Sequence, residues 1–338
     1  MPNTTLTEAI DRVAGGADLS RDEAAAVLAE IMEGNASETQ IAAFLIALRT
    51  KGETVAEIAG LAQTMRSFAL VVDAGDDLVD TAGTGGGRPT FNVSTTAALI
   101  AAGAGCRVAK HGNRSATSQC GSADVLEALG ARIDLEPARV AVCIESVGFG
   151  FMFAPKHHGA TRHVVPVRRE LGVRTIFNFL GPLTNPAGAR RQVIGVSDPG
   201  KLETMAAALG ELGTERALVV SSADGLDEFS VAGPTRVVEL SQGRLDAYEV
   251  APADVGLEDE PDGFVRAGSP DENARVLRDV LGGSPGTERS LSVMNAGAAI
   301  LVAGRAETLE QGVRRAEEAI DSGAAADLLE RFVRETNS

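Results

Sequence analysis

From Leu78 onward, short apolar runs alternate with stretches whose apolar residues recur at helical spacing. This alternation constrains the fold more than any other feature. A strand followed by a covering helix builds a largely parallel sheet with helices on its faces, so the pattern predicts an α/β protein. The candidate strands are Leu78–Asp80, Arg107–Ala109, Gln192–Val196, Ala217–Val220 and Val237–Leu240. Helices are expected over Ser94–Ala104, Ser122–Leu129, Ala138–Val147 and Lys201–Leu212, and the tail from Asp271 to Arg334 is mostly helical by pattern. No repeat at a fixed period and no low-complexity linker interrupts the chain.

The first 70 residues differ from this. They read as four short helices, each opened by a Ser or Thr followed three positions later by Glu or Gln: Thr5 with Glu8, Ser20 with Glu23, Ser37 with Gln40, and Thr54 with Glu57. In that spacing each side chain satisfies an orphaned backbone N–H of the other. Ile41, Phe44, Leu45 and Leu48 supply an apolar face, and Gly34 and Gly52 are expected stops. A chain of 338 residues accommodates about two domains.

Composition excludes several classes. With 44% hydrophobic residues, 38 glycines and 4% aromatics, the chain is packed with small aliphatic side chains rather than disordered. It holds no apolar run of about 18 residues, the length a membrane helix needs, and MPNTTLTEAIDRV lacks the regions of a signal peptide. A cytoplasmic protein with no membrane contact is expected. Cys106, Cys120 and Cys143 show no C-x-x-C spacing and read as small buried hydrophobes. A net charge of -16 argues against nucleic acid as a partner, because a phosphate array would be repelled. The charge is unevenly spread. Residues 81–191 carry 13 Lys and Arg against 6 Asp and Glu, a local excess of +7 that leaves -23 for the remainder, and all 4 histidines lie in the same stretch. A cationic segment in an acidic chain suits a small, highly charged anion as well as it suits a solvated basic face.

Three motifs carry chemistry. Residues 80–87, DTAGTGGG, follow an expected strand and precede Asn92-Val-Ser-Thr95 at the start of a helix. Glycines let backbone amides approach an anion, and the helix N-terminus adds its dipole and hydroxyls, so this reads as a phosphate cradle or, less specifically, as a tight connection. It matches neither the dinucleotide fingerprint nor the P-loop. The next expected strand runs into KHGNRSATS, residues 110–118, and then GSAD, residues 121–124. Two cations, an amide and several hydroxyls just after a strand mark the place where open α/β sheets bind ligands. In DGLDEFS, residues 224–230, the adjacent Asp227 and Glu228 repel each other unless a cation separates them, and magnesium prefers such oxygen ligands when it also bridges phosphates. Between these motifs, a helix is expected from about His158 to Leu171, and LGPLTNP, residues 180–186, reads as a rigid turn.

Taken together, DTAGTGG, FNVST, VAKHGNRS, GSADVLEALG, FAPKHH, VRRELGVRTIFNFLGPLTNP and DGLDE resemble the anthranilate phosphoribosyltransferase family of tryptophan biosynthesis in order and spacing over nearly the whole chain. The resemblance implies a nucleoside phosphorylase/phosphoribosyltransferase-like fold. In it a small helical domain (1–70 with 160–183) is hinged on a larger α/β domain (71–159 with 184–338), and the helical part usually forms a homodimer. It implies that Gly83, Gly86, Gly87, Thr90, Asn92, Val93, Ser94, Thr95, Lys110, Asn113, Arg114, Ser115, Ser118 and Ser122 hold phosphoribosyl pyrophosphate. Ser94, Asp227 and Glu228 would hold Mg2+, and Gly83, Asn113 and Arg168 would contact anthranilate, with Arg168 facing its carboxylate. Lys110 and Arg114 would stabilise the departing pyrophosphate, and His111 would line the acceptor passage as a weak candidate base.

Two departures from the family pattern stand out. Where GTGGD is common this chain has GTGGG, and the loop from Gly87 to Thr90 is one residue shorter, which removes a carboxylate near the phosphates. A looser or differently placed second metal and a changed magnesium optimum are expected. HHGAT, residues 157–161, lacks the larger residues common there, which alters acceptor packing around Thr161. Two other readings compete: a pyrimidine nucleoside phosphorylase, which resembles this fold and uses a related glycine-rich loop, and a catalytically silent nucleic-acid-binding relative, which the acidic charge opposes.

Overall fold

The computed structural model describes residues 2–338 except 116–118, 261, 262, 264 and 266. Four N-terminal helices form as expected: α1 (Thr4–Ala14), α2 (Arg21–Met32), α3 (Glu38–Lys51) and α4 (Val55–Ser67). Reciprocal capping boxes open α2 at Ser20 and Glu23 and α4 at Thr54 and Glu57. The first expected box does not form. Asn3 caps α1 by accepting from Leu6 N at 3.0 Å, which leaves Thr5 inside the first turn. Asn caps as well as Thr and stands where the chain is still extended. Ser37 caps α3, but Gln40 turns away to bond both backbone groups of Asn3, at 3.1 and 2.9 Å, tying α1 to α3.

The rest of the chain builds a 7-stranded sheet in the order β3-β2-β1-β4-β5-β6-β7. Its strands are β1 (Leu78–Gly83), β2 (Arg107–Gly112), β3 (Phe149–Phe153), β4 (Arg191–Gly195), β5 (Arg216–Ser222), β6 (Thr235–Ser241) and β7 (Arg244–Val250). Pairing is parallel from β3 through β5 and antiparallel from β5 to β7. Two strands were not legible in the sequence. β3 is a continuous apolar run that merges with the preceding helical pattern, and left-handed Gly148 separates them. β7 is exposed along most of its length, so it shows no alternation; pairing with β6 across the left-handed Gln242 and Gly243 creates it.

Helices fill the connections: α5 (Val93–Gly103), α6 (Ser122–Ala128), α7 (Pro137–Val147), α8 (Ala154–His157), α9 (Val165–Leu171), α10 (Phe177–Leu180), α11 (Leu202–Glu211), α12 (Pro270–Leu281), α13 (Thr287–Val302), α14 (Leu309–Asp321) and α15 (Ala324–Thr336). The single helix expected from His158 to Leu171 is instead a 3-10 turn over Gly159–His163 followed by α9. Pro166 offers no backbone N–H and falls in the first turn of α9, where none is needed.

Side chains alternate across the sheet and divide the core in two. Val193, Leu218, Val220 and Val237 face α5 and the C-terminal helices. Ile194, Ala217, Val219 and Val238 face the other way, into a core shared with α1–α4 and α11. Val164, Val167, Ile176, Phe177, Leu180 and Leu183 join that second core, so the segment carrying α9 and α10 returns to the N-terminal helices. No helix among the described residues is long and apolar enough to cross a membrane.

This order puts a switch point at β1, from which the chain first builds outward through β2 and β3 and then returns to the other side as β4, with Gly83 opposite Gly195 at the carboxyl ends of β1 and β4. The crevice is braced from behind. Asp80, fully buried in β1, accepts from His111 N at 3.1 Å and from Asn185 Nδ2 at 2.8 Å, and the same Nδ2 donates to Ala109 O at 2.8 Å. Burial raises the Asp80 carboxyl, and the nearby Lys110 charge and these donors oppose that rise. The LGPLTNP turn thus does more than stiffen the chain, because its Asn185 satisfies a buried acid. Asn185→Ala is expected to destabilise the protein by about 3 kcal/mol, since it strands a buried carboxylate; the urea midpoint measures this, and a shift worth under about 1 kcal/mol would refute it.

Candidate active site

Three loops converge at the carboxyl ends of β1, β2 and β5. The first is the glycine-rich turn after β1. Gly85 N donates to Asp227 Oδ2 at 3.0 Å, and Arg88 N donates to Gly225 O at 2.8 Å, so this loop lies directly on the acidic loop that follows β5. Gly87 explains the departure from GTGGD: a Cβ there would meet Asp227 Oδ1 at 2.6 Å, leaving no room for a side chain in this arrangement. Arg88 reinforces the contact by pairing with Asp224 at 2.9 Å, while Asp224 also accepts from Ser230 Oγ at 2.9 Å. Of the flanking residues, Thr90 Oγ1 donates to its neighbour's Phe91 O.

Asn92, Val93, Ser94 and Thr95 open α5 beneath that loop. Asn92 is held structurally: its Oδ1 accepts from Cys120 Sγ at 3.2 Å and from Asn273 Nδ2 at 2.9 Å. Val93 is buried, and the buried Thr95 hydroxyl has no protein partner among the described residues. Lys110, on β2, is almost wholly buried, with its ammonium donating to Thr81 O, to Thr81 Oγ1 at 3.2 Å and to Ser94 Oγ at 3.4 Å. Burial pulls it down to about 8, against the opposing charges of Asp80 and Glu228.

After β2, Asn113 O accepts from Ser122 Oγ at 3.2 Å, and Asn113 Oδ1 accepts from Arg114 N at 2.7 Å. Arg114 is half exposed, pairs with Asp124 at 2.7 Å and Glu127 at 2.5 Å, and lies over the Phe153 ring. Ser115 N donates to Asp124 Oδ2 at 3.3 Å. Ser118 lies outside the described residues. Arg168, on α9, packs over the Phe177 ring, and no carboxylate among the described residues pairs with it. Burial lowers its guanidinium. A sheltered cation with no counter-charge suits an incoming anion.

The acidic loop fits a divalent cation. Burial raises Asp227, and burial together with the neighbouring Asp227 charge raises Glu228 well above the usual carboxylate range. Glu228 Oε2 is buried without a protein partner among the described residues. No group of three or more His, Cys, Asp or Glu side chains suited to a metal occurs among the described residues. Two adjacent carboxylates are oxygen donors of the kind magnesium prefers, and fewer than a full set, so a cation held there would also need oxygens from outside this loop.

Sequence reasoning missed Arg174, whose guanidinium packs on Gly86 of the first loop, and the Asn273 contact to Asn92. Arg174 sits in a basic stretch with no spacing signal, and Asn273 lies 181 positions from its partner.

A helical bundle domain and an a/b domain of a glycosyl transferase family match residues 7–69 and 75–326. The fold is thus that of a two-domain glycosyl transferase. An anthranilate phosphoribosyltransferase of Rubrobacter xylanophilus is 57% identical, covering 97% of both chains, and one of Symbiobacterium thermophilum is 53% identical, covering 95% of both. The crystal structure of anthranilate phosphoribosyltransferase from Thermus thermophilus superposes with a TM-score of 0.93 at 45% identity, covering 98% of this chain and 99% of that one. The Saccharomyces cerevisiae enzyme in complex with PRPP and Mg superposes at 0.90 with 28% identity, covering 99% and 98%. The chain belongs to the anthranilate phosphoribosyltransferase family.

His111 is the one candidate base, and its environment opposes that role. It is buried, its Nδ1 faces Gly181 O at 3.2 Å, and its ring lies 5.0 Å from that of His158. Burial, with His158 adding to it, pulls His111 down to about 3, so it is neutral at pH 7 and weakly basic. Because its folded value lies below the unfolded one of about 6.5, its contribution is fully present above that pH and is lost as pH falls toward the folded value, at about 1.4 kcal/mol per pH unit. The raised Asp227 and Glu228 carboxyls act in the opposite direction, so total stability mixes the two. The difference between wild type and His111→Asn isolates the histidine. Urea midpoints from pH 7 to 4 should fall less steeply in His111→Asn, with turnover at pH 7 kept within about tenfold; parallel slopes, or a loss of about a thousandfold in turnover, would contradict this.

Proposed function

We propose that this chain transfers the 5-phosphoribosyl group of phosphoribosyl pyrophosphate to the amine of anthranilate, giving N-(5-phosphoribosyl)anthranilate and pyrophosphate. The observation that carries this reading is the meeting of a glycine-rich loop, a helix N-terminus and a paired-carboxylate loop at one switch point, with an uncompensated arginine on the returning helical segment. The donor needs amides and cations for its phosphates and a metal for its diphosphate, and the acceptor needs a cation for its carboxylate. The relatives support both halves: the yeast enzyme has been seen with PRPP and Mg and, separately, with 4-fluoroanthranilate.

In this reading Gly83, Gly86, Gly87, Thr90, Asn92 to Thr95, Asn113, Ser115, Ser118 and Ser122 surround the donor. Asn92 acts largely as a brace, given its bonds to Cys120 and Asn273. Lys110 supplies positive charge from below the start of α5. Arg114 reaches a phosphate only by giving up Asp124 or Glu127, which costs part of what that contact returns. Ser94, Asp227 and Glu228 would hold Mg2+, which when bound neutralises the diphosphate and eases its departure. Arg168 binds the anthranilate carboxylate, with Gly83 and Asn113 beside it. Displacement at C1 then follows from placement: the amine is held on the face opposite the leaving pyrophosphate, so a rare encounter becomes an intramolecular step. No general base is assigned, because the amine loses its proton late.

The reading extends to a cytoplasmic homodimer joined through the helical part, supported by Ile46, Val165 and Val173, which stay exposed there. Gly87 in place of a carboxylate supports a displaced second metal.

Loss of anthranilate fluorescence tests the activity. Wild type should consume anthranilate only with phosphoribosyl pyrophosphate and magnesium, and should make no product from thymidine and phosphate. Arg168→Ala should raise the KM for anthranilate about tenfold or more while the donor KM changes little, and Asp227→Ala with Glu228→Ala should abolish turnover. The rate should depend on magnesium without the second phase of an ordinary two-metal enzyme. Thymidine phosphorolysis, or full activity in the double variant, would overturn the reading.

A further inference from the structure

Arg174 lies between α9 and α10, on the segment that packs with the N-terminal helices, yet its side chain crosses to the glycine-rich loop of the α/β part. Its Nη1 donates to Ser197 Oγ at 2.8 Å, just after β4. Ser197 is itself fastened to the loop: its Oγ donates to Gly85 O at 3.1 Å, and its N donates to Thr84 Oγ1 at 3.2 Å. The guanidinium meets Gly86 with its Nη1 end, where a Cβ would stand 2.1 Å from Nη1, so any side chain at that position would displace it. The guanidinium also lies over the Phe179 ring, its carbon 5.8 Å from the ring centroid.

What Arg174 lacks is as informative as what it has. Among the described residues no carboxylate pairs with it, and its Nη2 is buried without a hydrogen-bond partner. A planar cation immobilised at one nitrogen and left with a buried donor at another is arranged for an oxyanion. Leaving that donor unsatisfied costs energy in the ligand-free protein, so an anion that accepts from it gains accordingly. The neighbours indicate which anion. The glycine-rich loop it touches is bonded to the acidic loop through Gly85 N and Asp227, and its charge reaches Asp227. Arg168 precedes it on the same segment, so donor and acceptor contacts would be carried by one piece of chain.

We propose that Arg174 is a diphosphate-binding residue, lent by the helical part to the glycine-rich loop, whose Nη2 takes an oxygen of the donor's pyrophosphate. This inference rests on the proposed transferase reading and adds to it a contact that ties donor binding to the position of the acceptor-bearing segment. It also supplies charge on the loop where GTGGG lacks the family's carboxylate, so cation and metal share the diphosphate differently there.

The test uses the full-length protein and two readouts. Calorimetric titration with inorganic pyrophosphate in magnesium should show Kd raised about tenfold in Arg174→Gln and by a smaller factor in Arg174→Lys, which keeps the charge but not the fork. Steady-state kinetics should show the donor KM rising in parallel while the anthranilate KM stays within about twofold. Ser197→Ala, which removes the anchor and keeps the cation, should produce a smaller loss than Arg174→Gln. Unchanged pyrophosphate affinity in Arg174→Gln would overturn the proposal, as would equal losses in Arg174→Gln and Ser197→Ala, which would mark the arginine as a structural tie. Absence of anthranilate turnover by wild type would defeat the transferase reading instead, and weakened pyrophosphate binding in Arg174→Gln would still stand as evidence for the anion contact.

Discussion

One buried ammonium organises this molecule. Lys110 leaves β2, passes under the start of α5 and bonds Thr81 on β1 and Ser94 on α5, with the charges of Asp80 and Glu228 on either side. A buried cation is tolerated only when its donors are used and its charge is balanced. Satisfying it therefore draws together β1, β2, the start of α5 and the acidic loop after β5. The Asp80 carboxylate carries the constraint further, through Asn185, into the turn that leads from the helical segment to β4.

Above that buried base, the site divides its cations by how they are compensated. Arg114 and Arg88 are already paired, with Asp124 and Glu127 and with Asp224 respectively. Arg168 and Arg174 are not paired with any carboxylate among the described residues, and both sit on the one segment that belongs to the helical core, with Arg174 reaching the α/β part. Paired arginines hold loops in shape, whereas uncompensated ones in sheltered surroundings keep their charge available to an anion. His111 and His158 are kept neutral by burial, so among side chains near the site the positive charge comes from arginine and lysine.

Much of this was legible before any coordinates. Helix caps at Ser20, Ser37 and Thr54, the parallel core of the sheet and the three loop motifs follow from patterns that act within a few residues, such as side-chain oxygens facing backbone amides and apolar residues at the period of their element. The misses share one cause. Asn3 displaced Thr5 as a cap because α1 also bonds α3 through Gln40, β7 exists because β6 pairs with it, and Pro166 places a helix start that apolar spacing alone runs across.

The sequence by itself determined which chemical groups are available and in what order: a glycine-rich turn, a cationic stretch, paired carboxylates and the family pattern they form. Tertiary structure alone decided which of those groups are spent and which remain. Arg114 stands in the family pattern as a phosphate ligand and is found paired, Lys110 stands as a cation on the diphosphate and is found buried, and Arg174, which no motif singles out, is found against the glycine-rich loop. The physical reason is that compensation of charge is a property of distance in space. A carboxylate ten positions away and a hydroxyl 23 positions away can each claim a guanidinium, and only the folded chain shows which does.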